Sequence, residues 1–198
     1  MLDLNTYLVK QQAGLFKRTA TYDIFDPNNN QQIGVAKEEP STLVNILRLF
    51  MNKKTLPTNV NFYAQGENKP LFSIHRPMTW FRSVVDVKNG EGQKIGSFKS
   101  KMMSLGGGFW VYDAEDQQFA EVKGDWKGWS FKFLTTDGKE LGSVGKKWAG
   151  MAKELFTTAD NYVIALNDSA KGARETLQEQ VELAKDKKLN KVYTERPD

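Results

Sequence analysis

Cysteine is absent from all 198 residues. That removes disulfides, thiolate metal sites and a cysteine nucleophile, and it fits a reducing compartment. Histidine occurs once, as His75 in the run LFSIHRP. With one imidazole and no thiol, most transition-metal sites lose their usual ligands, and any triad hangs on a single residue. Strand alternation puts His75 opposite Phe72 and Ile74, where an ordinary strand-end role is expected. No stretch of roughly 18 apolar residues is present, so no single helix is expected to span a bilayer. The first residues, MLDLNTYLVKQQAGLFKR, lack the unbroken apolar segment of a signal peptide. These absences suggest a cytoplasmic address.

What remains is an ordinary globular composition, 39% apolar and 26% charged, long enough to bury a core in one domain. The net charge of +4 is compatible with acidic partners such as phospholipid head groups or nucleic acid without requiring them.

The chain repeats a plan of strand, polar turn and strand. Four segments follow it closely: Tyr22 to Phe25 with Ile33 to Val35, Val85 to Val87 with Ile95 to Phe98, Phe109 to Tyr112 with Phe119 to Val122, and Phe131 to Leu134 with Leu141 to Val144. A fifth, Asn61 to Ala64 with Leu71 to Ile74, fits more loosely. The intervening Asp-Pro-Asn-Asn-Asn, Asn-Gly-Glu-Gly and Asp-Gly runs favour tight turns. Regular hairpins leave exposed sheet edges, which closure into a barrel removes. Pro40 to Lys54 interrupts the series as an amphipathic helix, with Ser41 as N-cap and Lys53 and Lys54 at the negative end of the dipole. Its apolar side is Leu43, Ile46, Leu47, Phe50 and Met51. Packing on the sheet or plugging a barrel end is expected. A helix lying in a membrane surface is the alternative.

No residue constellation supports an enzyme class. The glycines of SLGGGF lead into a strand instead of a helix, and no Gly-Lys-Ser/Thr follows, so they read as a turn. Asp113, Glu115, Asp116, Asp125 and Asp137 fall in or near turns, and spacing selects no acid–base pair among them. In KGDWKGWSFKF, alternation assigns Trp129, Phe131 and Phe133 to a core face and Ser130 and Lys132 to a solvated one. A stacking platform for single-stranded nucleic acid is the competing reading. Because the basic residues are dispersed along the chain and no nucleic-acid-binding motif occurs, nucleic acid is not expected as a partner.

The most informative stretch is LGSVGKKWAG followed by ELFTTADNY, residues 141–150 and 154–162. It resembles the signature of the phospholipid scramblase family and its bacterial relatives. The runs PTNVNF, WFRSVVDV, SLGGGFWV and NTYLVKQQ are similar to bacterial members of that group, so the resemblance covers roughly residues 5 to 166. It implies the fold shared with the tubby C-terminal domain and LURP-one-related proteins. That fold is a closed, antiparallel β-barrel of about twelve strands around a central C-terminal helix. It also implies association with phospholipid or a membrane surface, and, in eukaryotic members, calcium-stimulated lipid movement between leaflets.

Two departures qualify that expectation. The family's proposed calcium segment has three acidic positions, which here read Thr158, Asp160 and Ser169, with Asp168 next door. A calcium loop needs several oxygen ligands, so no metal or other cofactor is expected, and Asp160 and Asp168 are the nearest candidates. The second departure is the chain end. Residues 1–166 are assigned to the barrel domain and 167–198 to a polar helix and tail. In that helix Ala173, Leu177, Val181 and Ala184 form only a narrow stripe among charges. Threading it through a dry barrel would cost several kcal/mol per unpaired charge, so an at least partly exposed helix is expected, available to a protein partner. The expected function is a non-enzymatic barrel at a phospholipid surface, with genuine scrambling or a structural interaction module as alternatives. Lys146, Lys147 and Trp148 are the first candidates for head-group contact, and Lys99 and Lys101 the second.

Overall fold

The computed structural model describes residues 1–12, 19–48, 55–78, 83–101, 108–125, 129–146, 161–172, 175 and 178. Within them lie twelve strands: β1 Thr6–Gln11, β2 Thr21–Asp26, β3 Gln31–Glu38, β4 Thr58–Ala64, β5 Phe72–Arg76, β6 Val84–Asn89, β7 Lys94–Ser100, β8 Phe109–Tyr112, β9 Gln118–Asp125, β10 Ser130–Thr135, β11 Glu140–Gly145 and β12 Asn161–Leu166. Each pairs antiparallel with its sequence neighbours, and β12 returns to β1, closing the barrel. All five hairpins expected from alternation are present. Their turns use residues that tolerate positive φ, among them Gly92 at 84° and Asn30 at 54°.

The register sorts side chains onto two faces. Tyr7 pairs with Ile164, Val144 with Ile164, Phe131 with Val144, Phe133 with Val122, and Phe98 with Val111. All of these lie on one apolar face, as do Ile24, Ala36 and the stacked rings of Phe62 and Phe72, 4.3 Å apart. The other face carries Asp23, Lys37, Ser73, Asp86, Lys99, Lys123 and Lys132. In a closed barrel the apolar face lines the inside. Both core clusters sit there: Tyr7, Ile24 and Ala36 at one side, and Val111, Ala120 and Val122 at another. His75 lies on the polar face of β5, half-buried, opposite Asn59 and Asp86.

Up-and-down connectivity sends alternate connections to opposite ends. One end carries the helix α1, Thr42–Leu47, together with the other longer connections. The opposite end carries five hairpin turns, the N-terminal residues and the chain after β12. There, residues Asp168–Ala170 form a 3-10 turn, followed by helical Lys171, Gly172, Glu175 and Gln178. Lys171 and Glu175 are largely exposed, and the Gln178 amide donates to Asp3 Oδ1 at 2.6 Å. The start of this helix therefore lies against the N-terminal segment at the barrel rim; residues 179–198 lie outside the described residues. Among the described residues no helix is long and apolar enough to cross a membrane.

Candidate functional site

The connections explain why the two ends differ chemically. Segments 12–20, 39–57, 77–83, 101–108, 126–129 and 146–160 leave from the α1 end and contain eleven Lys or Arg against three Asp or Glu. The hairpin turns 27–30, 65–71, 90–93, 113–117 and 136–139 contain two against six. Among the described residues, strand parity brings Arg48, Lys101 and Lys146, far apart in sequence, to that end. Exposed apolar side chains follow the same division: Leu43, Ile46, Met78 and Trp129 are at the α1 end, whereas Phe119 lies near the other.

The helix α1 is held on its rim by three features. Ser41 caps it, its hydroxyl accepting from the Val44 N–H at 3.3 Å. Val44 is its buried residue. Arg48, its C-cap, donates to Glu38 Oε1 at 2.6 Å, and the other oxygen of that carboxylate accepts from the Ala20 N–H at 3.0 Å. Both charged side chains are largely buried, so Glu38 ties the end of β3 to α1 and to the β1–β2 connection. The expected packing face is corrected here. Leu43 and Ile46 are 65% and 51% exposed, and Val44 is the residue turned inward. Phe50 and Met51 lie outside the described residues.

A second cluster forms where β10, β11 and β12 meet the same end. Trp129 turns the chain into β10 with φ of 49°, its carbonyl accepting from the Lys146 N–H at 3.2 Å. The Lys146 ammonium lies over the Trp129 ring at 4.9 Å and the Tyr162 ring at 5.4 Å, within cation–π range. Phe131 and Phe133 join the core as expected. Trp129 departs from that expectation and stays 40% exposed at the rim.

Of the remaining head-group candidates, Lys101 also lies at the α1 end. Its ammonium is 3.6 Å from the Trp110 ring centre and pairs with Glu121, which also binds Lys123. Lys101, then Lys123, hold the Glu121 carboxyl below its ordinary range. Lys99 reaches the other way, toward Asp116 in the β8–β9 turn at 3.5 Å, over the Tyr112 ring. Lys94 donates to the same Asp116 at 2.8 Å and pulls its carboxyl down. The structure brings Lys101 and Lys146 to one end and leaves Lys99 directed away from it. Lys147, Trp148 and Asp160 lie outside the described residues.

Of the family's calcium segment, Thr158 and Asp160 lie outside the described residues and Ser169 lies within them. Asp168 is exposed at the start of the 3-10 turn. Ser169, at the position that would close the loop, donates its hydroxyl to the Glu140 carbonyl at 2.5 Å. Among the described residues no three acidic or histidine side chains converge.

The described strands form a closed antiparallel barrel of twelve strands with an apolar interior. The family model described as Scramblase matches residues 6–185. The chain belongs to that family. No curated protein and no solved structure matches it.

Proposed function

We propose that this protein is a non-enzymatic, peripheral membrane-surface protein whose α1 end binds the head groups of anionic phospholipids. The carrying observation is the placement of Lys101 and Lys146 at one end of a scramblase-family barrel, the end whose connecting segments are rich in basic residues in sequence. Each Lys or Arg held near an anionic leaflet contributes about 1 kcal/mol of attraction, so even part of that end acting together gives measurable binding. The cytoplasmic leaflet is the surface this charge suits. Lys146, Lys147 and Trp148 are the proposed head-group contacts, with Lys101 as a second choice. The reading requires neither calcium nor movement of lipid between leaflets.

The test is co-sedimentation with vesicles of phosphatidylcholine alone or mixed with phosphatidylserine, at low and high salt. Binding to the mixed vesicles that weakens with salt is expected, because the screening length shrinks from about 10 Å at 0.1 M to about 3 Å at 1 M. Equal lack of binding throughout would refute the proposal, and salt-sensitive binding to oligonucleotides without vesicle binding would assign the end to nucleic acid. Family membership also favours genuine scrambling as a second reading. Reconstitution with a leaflet-labelled lipid, with and without calcium, is expected to show no acceleration.

A further inference from the structure

Head-group attraction alone does not account for the aliphatic residues at the α1 end. Leu43 and Ile46 stand three residues apart on one side of α1, more than half exposed. Scattered exposed apolar residues are ordinary on a protein surface. These two are displayed together, and Met78 and Trp129 are exposed at the same end. They are also held on the side of α1 away from its buried residue, Val44. The Ser41 cap, buried Val44 and the Glu38–Arg48 pair fix the opposite side of α1 to the barrel. A free amphipathic helix would instead be expected to turn this face toward the protein.

We infer that the outward face of α1, Leu43 and Ile46, inserts into the boundary between head groups and acyl chains of an anionic bilayer. The barrel then stands end-on with its hairpin turns away from the membrane. The occupant follows from complementarity. The apolar pair shares its end of the barrel with Lys101 and Lys146, and the connecting segments that leave that end carry an excess of basic residues in sequence, the combination that binds anionic lipid interfaces through both area and charge. An apolar partner helix would satisfy Leu43 and Ile46 but not that excess. The opposite end, richer in carboxylates at its turns, is repelled by the same surface, so charge and apolar exposure select one orientation. This inference rests on the membrane reading above and adds to it the inserting residues and the orientation.

The absence of cysteine makes the test direct. Single variants Leu43→Cys, Ile46→Cys and, as the opposite-end control, Thr136→Cys are each labelled with an environment-sensitive fluorophore. They are mixed with phosphatidylcholine–phosphatidylserine vesicles, with or without nitroxide lipids labelled near the head group. The labels at positions 43 and 46 are expected to shift to the blue and be quenched, and the label at 136 to do neither. In the full chain, Leu43→Ser combined with Ile46→Ser should weaken vesicle binding about tenfold. Its circular dichroism and urea midpoint should stay unchanged, because both residues are exposed. Vesicle binding with unshifted labels at 43 and 46, or quenching at 136, overturns the inference and leaves the membrane reading standing. Failure of the unmodified chain to sediment with any vesicle overturns both.

Discussion

Replacing Glu38 with Gln tests whether the α1 rim is bolted to the barrel by charge. The side chain of Glu38 is 4% exposed and that of Arg48 13%, so the pair sits largely out of water. Glutamine keeps the size and an oxygen for the Ala20 N–H, now 3.0 Å from Glu38 Oε2. It removes the negative charge that faces Arg48 at 2.6 Å. Breaking a buried pair from one side costs about 3–5 kcal/mol. The slight exposure of the guanidinium lets water recover part of that, leaving an expected loss of about 2–3 kcal/mol. With a urea m-value of about 2–3 kcal/mol/M, the unfolding midpoint should fall by about 1 M. Removing both charges with Glu38→Gln and Arg48→Met should cost less than the two single losses added, with a coupling of at least about 1 kcal/mol. An unchanged midpoint in Glu38→Gln, or strict additivity in the double variant, would refute the reasoning.

Glu121 should leave a mark on acid stability. Its folded carboxyl lies below the ordinary glutamate value of 4.5, chiefly through Lys101, so its contribution is complete above that value and is lost as pH falls through the folded one. Between those values the wild type should therefore lose stability more steeply than Glu121→Gln; parallel acid slopes would contradict this. Two glycine replacements separate crowding from backbone strain. In Gly96→Ala the new Cβ would lie 2.8 Å from the Tyr112 carbonyl oxygen, for an expected loss of about 1–3 kcal/mol. In Gly138→Ala the space is open but φ is 87°, for a loss of about 1 kcal/mol; urea midpoints would expose either error.

The strands that alternate cleanly were legible in the sequence, because one face meets an apolar interior and the other meets water. All five hairpins followed from that rule. β1 did not, and came only from the family resemblance. Its Tyr7 and Leu8 are adjacent, lie on opposite faces and are both buried, which erases the period of two. The start of α1 was readable from Ser41, but its direction was not. A helical stripe identifies an apolar side without saying whether barrel or solvent receives it, and here Leu43 and Ile46 face outward. The polarity of the ends was hidden for a different reason. Lys101 and Lys146 are far apart in sequence and reach the same end only because both follow odd-numbered strands, β7 and β11. Grouping connections by strand parity would have found it once the strands were counted.

The most direct test of the membrane face compares Lys146→Gln with Lys139→Gln in binding to phosphatidylcholine–phosphatidylserine vesicles. Both variants remove one positive charge, the first at the α1 end and the second in the turn between β10 and β11 at the opposite end. The account predicts that Lys146→Gln weakens binding about fivefold, the equivalent of about 1 kcal/mol, while Lys139→Gln stays close to wild type. Equal losses in the two variants, or the larger loss in Lys139→Gln, would contradict it.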